Sequence, residues 1–271
     1  MALAGRRALN VLVAALAVVA TGCATTARSG VPPGTSEPDR YLFERGNEAL
    51  ADERWLTARE FFRQVTDTYT QSPYRPSAKL GIGDSYVGEG TAEALVLAIN
   101  EFQEFLAFYP THEQSDYAQF RLATAYFEQM RSPQRDQTET RNAIREYENF
   151  MARYPNSTLM PEARTRLRQA QDRLSTSEYE VGLHYYRIRW YPGAIDRFSA
   201  LLKQDPSYSN RDSVYYYLAE TLRRVNRPVE ALAFFEKLVG EFQQSEYLQD
   251  AQERIDELKV ELAASATENP L

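Results

Sequence analysis

The sequence predicts an all-α fold, a right-handed solenoid of five helix-pair repeats with an extra linking helix and a C-terminal capping helix. The first observation is an Ala that precedes an aromatic residue by four positions, which places both side chains on one helix face. This pair occurs five times, as Ala58/Phe62, Ala98/Phe102, Ala143/Tyr147, Ala194/Phe198 and Ala231/Phe235. The second observation is a small residue that precedes each pair, namely Gly46, Gly83, Ala123, Gly182 and Ala219. The third is a Pro that follows three of the five Ala residues by twelve positions, where it would end the helix.

Each unit therefore has a helix A with the small residue and a helix B with the Ala–aromatic pair. We expect the small residue to let helix B approach, its Ala to face it, and the aromatic ring to fill the space towards the next repeat. This pattern resembles the tetratricopeptide repeat (TPR). The Ala-to-Ala steps of 40, 45, 51 and 37 residues leave room for an insertion, Met130–Thr140, and for two extra helices. Ser157–Leu174 would link repeats 3 and 4, and Ser245–Leu262 would cap the array, whose last apolar face has no neighbour.

The N-terminus has the order of a bacterial export signal. Arg6 and Arg7 precede an apolar run, Ala8–Ala20, which is short for a membrane span and suits a signal-peptide core. Small residues then lead to the single Cys, Cys23, and this site resembles the lipobox of bacterial lipoproteins, although Ala20 stands where Leu or Val is common. The resemblance implies an N-acyl diacylglyceryl anchor on Cys23. An ordinary secretory signal with an incidental Cys is the alternative.

These features divide the chain into five segments. The predicted segments are a signal peptide at 1–22, a lipidated disordered tether at 23–38, repeats 1–3 at 39–157, the linking helix with repeats 4–5 and the cap at 158–262, and a disordered tail at 263–271. The tether assignment rests on Thr, Ser, Gly and three Pro residues.

Composition and motifs argue against several classes of function. The formal net charge is -7, and removal of residues 1–22, which carry two Arg and no acid, makes it -9, so nucleic-acid binding is disfavoured. One Cys allows no intramolecular disulfide and no zinc cluster. His112 and His184 have no second His or Cys at metal-binding spacing, so we expect structural roles for them and no metal site. We find no phosphate loop and no protease or esterase motif, and we predict a binding protein without cofactors or catalytic residues, not an enzyme.

Four stretches narrow the resemblance further. They are SPYRPSA at Ser72–Ala78, YPTHEQSDYA at Tyr109–Ala118, Arg135–Ser157 and Arg173–Phe198. Together with the lipobox they resemble the BamD family, the lipoproteins of the outer-membrane β-barrel assembly machinery (the BAM complex), over residues 38–262. Thr70 departs from the pattern, because a Pro would close repeat 1 there. The resemblance implies a scaffold that is anchored in the outer membrane and faces the periplasm. Its implied partners are unfolded β-barrel proteins at the N-terminal repeats, the periplasmic domains of the BamA insertase at the C-terminal repeats, and other lipoproteins of the machinery.

Two sets of candidate binding residues follow from the helix A positions that would face the concave side. For a substrate-peptide groove in repeats 1–3 they are Phe43, Asn47, Leu50, Leu80, Asp84, Val87, Phe120, Thr124 and Phe127. For an insertase-docking face in repeats 4–5 they are Tyr179, Tyr186, Glu220 and Arg223. The alternative for each residue is packing against a neighbouring helix. Trp55 and Trp190 are expected to pack the turns between helices.

Two other functions remain open at this point. A different TPR lipoprotein of the envelope, such as a pilotin for a pilus secretin or a coordinator of cell-wall synthesis, would share most of these features. An enzyme of a cell-wall pathway would need a catalytic cluster, which the sequence does not offer.

Overall fold

The computed structural model describes residues 30–268, and these residues form α-helices and connecting turns with no strand. The helices are α1 Pro38–Ala51, α2 Trp55–Thr68, α3 Arg75–Glu89, α4 Ala92–Phe108, α5 Ser115–Glu128, α6 Thr138–Arg153, α7 Met160–Arg187, α8 Tyr191–Gln204, α9 Arg211–Arg224, α10 Pro228–Glu241 and α11 Leu248–Glu268. Successive helices pack on one another along the chain. The predicted all-α, TPR-like fold is confirmed. Cys23 and the signal-peptide segment lie outside the described residues.

The pairing of the helices follows the repeats. Helices α1/α2, α3/α4, α5/α6, α7/α8 and α9/α10 are the five A/B pairs, and α11 packs on α10 as the cap. Each helix A also contacts the helix A of the next pair, as in α1·α3, α3·α5, α5·α7 and α7·α9. Within residues 30–268 the B helices do not pack on one another in this way. The A helices therefore line the inner, concave side of the array.

The predicted linking helix is not a separate element. Residues 157–174 were expected to form one helix and repeat 4 to begin with another, but α7 runs without a break over Met160–Arg187, 28 residues. The join contains no Pro or Gly, and the Thr176 hydroxyl donates a hydrogen bond to the carbonyl of Asp172 within the helix. The first half of α7 packs on α6 through Met160 and Ala163, and in its second half Gly182 lies against Phe198 of α8. One helix of about 42 Å thus joins repeats 1–3 to repeats 4–5.

Both predicted disordered ends are shorter than expected. Within the predicted tether, Val31 packs against the first apolar cluster and the Thr35 hydroxyl bonds the carbonyl of Pro32 at 2.7 Å. At the other end, α11 continues to Glu268 and does not stop at residue 262. Ala-rich sequence favours helix, and the first Pro after Leu262 is Pro270.

Three clusters of buried side chains form the core. One extends over α1–α5, a second from the C-terminal half of α7 to α11, and a third lies between them around Phe120, Tyr147 and Phe150. No buried cluster runs through the whole length of α7 within the described chain. Repeats 1–3 and repeats 4–5 are therefore two arrays that meet along one helix.

The small residues of helix A make room for a ring, not for the Ala expected to face them. In repeat 1 the fully buried Phe62 lies between two glycines of successive A helices. A Cβ added at Gly46 would lie 2.5 Å from Cε1 of this ring, and one at Gly81 would lie 2.5 Å from Cε2. Gly182 has the same relation to Phe198, at 2.6 Å. The aromatic position thus packs against its own repeat as well as the next.

The turns between helix A and helix B share one backbone feature. Two residues before helix B, the chain enters the left-handed region at Glu53 (φ 56°), Gly90 (69°), Arg189 (63°) and Asn226 (59°). In repeat 3 the insertion replaces this turn, and the side chain of Gln137 organises it by donating to the carbonyls of Ser132 and Arg135, both at 2.9 Å. The turn position therefore suits Gly, although among these four repeats only repeat 2 has Gly at that position.

We expect Glu53→Gly to stabilise the protein by about 0.5–1 kcal/mol, because a side chain in the left-handed region costs about 1–2 kcal/mol and Gly avoids most of that cost. Glu53 is exposed, so little contact is lost. The control is Glu60→Gly, an exposed position inside α2, where Gly should destabilise by about 0.5–1 kcal/mol. Urea unfolding followed by circular dichroism measures both. A loss of stability in Glu53→Gly would contradict the assignment of strain to this turn.

Candidate partner-binding surfaces

The nine predicted groove residues of repeats 1–3 differ in exposure. Asn47 is exposed, and Phe43, Leu50, Asp84, Val87 and Phe127 are half-buried. Leu80, Phe120 and Thr124 are buried at 2%, 4% and 3% exposure, so their prediction as groove-lining residues is wrong. The reason is packing within the array, since Leu80 belongs to the first buried cluster and Phe120 and Thr124 face helix B of their own repeat. Phe120 packs on Tyr147 and Phe150, and the Thr124 hydroxyl bonds the carbonyl of Phe120 at 3.0 Å.

The half-buried residues give the concave side of repeats 1–3 a mostly apolar floor. Phe43 stacks on Tyr74 of α3, with ring centroids 5.2 Å apart. Phe127 lies under the guanidinium of Arg166, 5.4 Å from the ring centre. Aromatic rings that keep part of their surface open suit the contact of apolar side chains from a partner.

A polar cluster interrupts this floor between α3 and α5. Asp84 accepts a hydrogen bond from Tyr117 at 2.8 Å and forms an ion pair with Arg121 at 2.6 Å. Burial raises the pKa of Asp84, and the charge of Arg121 and the two hydrogen bonds oppose that shift. Asp84 is therefore committed to contacts within the chain, and its first role is to join repeats 2 and 3. The sequence pattern points to Asp84 but to neither of its partners.

The predicted docking face of repeats 4–5 contains a second carboxylate that is paired with an arginine of another helix. We call each of these two ion pairs a joint. Glu220 is 4% exposed and accepts hydrogen bonds from Arg223 at 3.2 Å and from Arg254 of the cap at 2.9 Å. The prediction that Glu220 offers its charge to a partner is therefore wrong, because two arginines already neutralise it. Arg223 is about a third exposed and still reaches the surface.

Tyrosine rings form the rest of this face. Tyr186 packs edge-on against Tyr217 of α9 at 5.4 Å, and Tyr179 lies 6.2 Å from the same ring. Tyr216 stacks on Tyr247 of the cap at 4.6 Å. Burial is the main cause that raises the pKa of Tyr216 and of Tyr247 to about 12, so both hydroxyls stay protonated at neutral pH. We name these five rings, Tyr179, Tyr186, Tyr216, Tyr217 and Tyr247, the tyrosine face.

The two joints occupy the same place in the repeat. Asp84 and Glu220 each follow the small residue of helix A by one position, and the partner arginine lies on the next helix packed in the helix A position. Tyr216, Tyr217 and Tyr247 were missed because Tyr occurs 18 times in the chain, and composition alone does not show which rings share a surface.

The remaining sequence candidates have structural surroundings. Nδ1 of His112 accepts a hydrogen bond from the backbone N–H of Gln114 at 3.2 Å, and its ring meets Phe105 edge-on. Trp55 packs over Gly88 in the turn of repeat 1, whereas Trp190 meets Tyr185 edge-on and remains 54% exposed. Residues 30–268 contain no group of three or more His, Cys, Asp or Glu side chains placed to hold a metal ion. In this same part of the chain, no helix has the length and apolar character to cross a bilayer.

Comparison with solved structures gives loose superpositions on other TPR proteins. The TPR2AB domain of yeast Sti1 superposes with a TM-score of 0.46 and 13% identity, over 84% of this chain and 86% of that chain. MamA superposes with a TM-score of 0.34 and 16% identity, over 78% and 94% of the two chains.

Comparison with known sequences is more specific. The outer membrane protein assembly factor BamD of Caulobacter vibrioides is 27% identical over 228 residues, which is 84% of this chain and 73% of that protein. BamD of Xylella fastidiosa is 22% identical over 70% of this chain and 66% of that protein, and BamD of Vibrio cholerae is 24% identical over 62% and 73%. The relatives bear the name of an assembly factor and not of an enzyme, in agreement with the non-enzymatic prediction. Residues 35–224 match the family model YfiO, outer membrane lipoprotein, and the chain therefore belongs to that family.

Proposed function

We propose that this protein is a lipid-anchored scaffold of the BAM complex, which binds unfolded β-barrel proteins and the BamA insertase on the periplasmic side of the outer membrane. In this proposal repeats 1–3 receive the unfolded substrate, and repeats 4–5 hold the periplasmic domains of BamA. Other lipoproteins of the machinery are further partners. The names of the relatives favour this function over that of a secretin pilotin or a coordinator of wall synthesis.

The observation that carries the proposal is the presence of two arrays that share no cluster of buried side chains and have different concave surfaces. A stacked array passes contacts only between neighbouring repeats, so two arrays can bind two partners independently. The apolar floor of repeats 1–3 suits an extended apolar peptide of variable sequence. The tyrosine face with Arg223 suits a folded partner, since Tyr and Arg are favoured anchors of protein interfaces.

Anchoring at Cys23 gives the first test. We expect Cys23→Ser to abolish acylation and to leave the protein soluble in the periplasm or uncleaved, because a stable anchor needs more than one acyl chain and none can be attached. The measurement is fractionation of envelopes followed by mass spectrometry of the N-terminus. The membranes are washed with 1 M salt, which shortens the electrostatic screening length to about 3 Å and removes proteins held by charge alone. A mature Cys23→Ser protein that stays in the outer membrane after this wash would overturn the anchor.

The assignment of one partner to each array gives the second test. It uses exposed or half-buried residues, because substitution of a buried residue such as Phe120 would disturb the fold as well as binding. We expect Asn47→Arg to weaken binding of a peptide from the C-terminus of a β-barrel protein and to leave co-purification of the insertase unchanged. Tyr186→Ala should have the opposite pattern, with about 1–2 kcal/mol, or roughly tenfold, lost at the insertase contact. Fluorescence anisotropy measures the peptide, and affinity purification measures the insertase.

The control is Asn100→Arg, which makes the same substitution at an exposed position on a B helix. It should leave both interactions intact. If Asn47→Arg or Tyr186→Ala abolishes both interactions, or if the two effects are exchanged, the assignment of one partner to each array is wrong.

A further inference from the structure

We propose that the turn edge of repeats 4–5 binds the surface of a bilayer that contains anionic phospholipids. This edge consists of the two turns that connect α7 to α8 and α9 to α10. Its exposed residues are Arg187, Ile188, Arg189, Trp190, Arg224 and Val229, and we call this set the basic edge. It is distinct from the tyrosine face, which lies on the concave side.

The first observation is the charge of this edge in an acidic protein. Residues 181–195 and 221–229 contain no Asp or Glu, although the whole chain carries a net charge of -7. Arg187, Arg189 and Arg224 form no ion pair with any residue of the described chain. Arg223 and Arg227, beside them, are already paired with Glu220 and Glu230. Among the described residues, three guanidinium groups without an ion pair therefore share the turn edge of repeats 4–5.

The same edge of the other array has the opposite character. The turns of repeats 1 and 2 carry four acids, Asp52, Glu53, Glu89 and Glu93, and one arginine, Arg54, which Asp52 neutralises at 2.9 Å. The backbone course of these turns is the same, since each enters the left-handed region two residues before helix B. The difference from repeats 1 and 2 therefore lies in the side chains and not in the fold, and the edge of repeats 4–5 attracts a negative surface where that of repeats 1 and 2 repels it.

The second observation is the set of apolar side chains among the arginines. Ile188, which follows the end of α7, is 57% exposed, Trp190, just before α8, is 54% exposed, and Val229, in the first turn of α10, is 66% exposed. The two turns are neighbours, because α7 contacts α9 and the rings of Tyr186 and Tyr217 meet at 5.4 Å. Exposed Trp and aliphatic residues beside Arg are typical of the water–lipid interface, where the ring lies at headgroup depth and Arg binds phosphate.

The shape of the edge favours a bilayer over a protein as the occupant. Two adjacent turns offer three apolar tips, whereas a stable protein interface takes about 800 Å² from each partner. A bilayer needs no complementary cavity and accepts isolated tips. Each Arg near an anionic bilayer strengthens binding by about fivefold, so three arginines give a moderate affinity. In the anchored protein proposed above, the tether would raise the local lipid concentration and make this affinity sufficient.

The test uses the chain from residue 23 onward with Cys23→Ser, which keeps every described helix and all three apolar clusters and carries no anchor. The probes are vesicles of phosphatidylcholine with and without phosphatidylglycerol, and binding is measured by co-sedimentation. We expect binding only to the vesicles with phosphatidylglycerol, and a decrease with added salt. The double variant Arg187→Glu/Arg189→Glu should bind at least about tenfold more weakly.

The matched control is Arg141→Glu/Arg164→Glu, which changes the net charge equally at exposed arginines of α6 and of the first half of α7. It should bind like the parent chain. A second readout is Trp fluorescence, which should shift to shorter wavelength on the anionic vesicles in Trp55→Phe but not in Trp190→Phe. Circular dichroism checks that each variant is folded.

The proposal is overturned if the parent chain ignores both vesicles, or if the two double variants lose binding equally. Retention of an acidic protein by the basic edge, without vesicle binding, would assign the edge to a protein partner and would also overturn it. These outcomes are independent of the anchor and of the insertase contact, because neither Cys23 acylation nor BamA is present in the assay.

Discussion

We expect Gly81→Ala to destabilise the protein by about 1–3 kcal/mol, a typical cost of overpacking a core, and the same substitution to become stabilising when Phe62 is replaced by Ala. The added Cβ would lie 2.5 Å from Cε2 of Phe62. The ring has little room to move away, because its other edge lies against Gly46, where an added Cβ would be 2.5 Å from Cε1. Phe62→Ala alone should cost about 3–5 kcal/mol, because it empties a fully buried site.

In the Phe62→Ala background the clash is absent, and Ala is the better helix former by about 1 kcal/mol. The effect of Gly81→Ala should therefore change sign, and the double-mutant cycle should give a coupling of several kcal/mol. Urea unfolding of the four proteins measures this coupling. Gly240→Ala is the control, since nothing lies within 4 Å of a Cβ added there, and it should stabilise both backgrounds equally. Equal effects of Gly81→Ala in both backgrounds would show that the ring does not set the spacing of the helices.

The spacing of residues along the sequence was sufficient to predict the repeats. The Ala and the aromatic residue of each pair are four positions apart, about one helical turn, and helical geometry alone relates them. The small residues precede the Ala by 12, 15 or 20 positions, and their recurrence located helix A. All five Ala residues of these pairs and all five aromatic rings are fully buried, as this pattern requires. The continuity of α7 was not predictable in the same way. A segment without Pro or Gly permits both one helix and two, and the choice depends on how α6 and α8 pack against it.

The exposure of single groove residues could not be predicted, because it depends on the curvature of the whole array. Leu80 and Phe120 occupy the same helix A position as Phe43, yet only Phe43, on the first helix of the array, keeps part of its surface open. The joint Asp84–Arg121 spans 37 residues and Glu220–Arg254 spans 34. Both separations are close to one repeat, so a search for opposite charges one repeat apart would have found these joints.

We also expect a large loss of stability from a change in the loop that follows α8 and packs against α7. Asp205 stands where repeats 1–3 have Tyr, and its carboxylate binds Arg168 through two hydrogen bonds of 3.0 and 2.5 Å. The Ser175 hydroxyl donates a third at 2.6 Å. We expect Asp205→Asn to destabilise the protein by about 2 kcal/mol at pH 7. A hydrogen bond to a charged group contributes about 1.5–3 kcal/mol, and the value is reduced here because Arg168 is partly exposed.

The pH dependence distinguishes loss of the charge from a general loss of packing. Burial alone would raise the pKa of Asp205, but the hydrogen bonds from Arg168 and Ser175 outweigh it, and the pKa is lowered from 3.8. A lowered pKa in the folded state stabilises the protein above the unfolded value, and this contribution is lost as pH falls through the folded value. The difference between wild type and Asp205→Asn should thus be constant from neutral pH down to about pH 5 and shrink below pH 3.8.

Urea unfolding at a series of pH values measures this difference. Asp196→Asn, at an exposed position of α8, is the control and should change stability by less than about 0.5 kcal/mol at any pH. If the deficit of Asp205→Asn stays unchanged below pH 3.8, the ionised carboxylate is not what holds the loop of repeat 4 against α7. The loop would then be held against α7 by its other contacts, among them the hydrogen bonds that Asp172 accepts from the backbone N–H and the hydroxyl of Ser209.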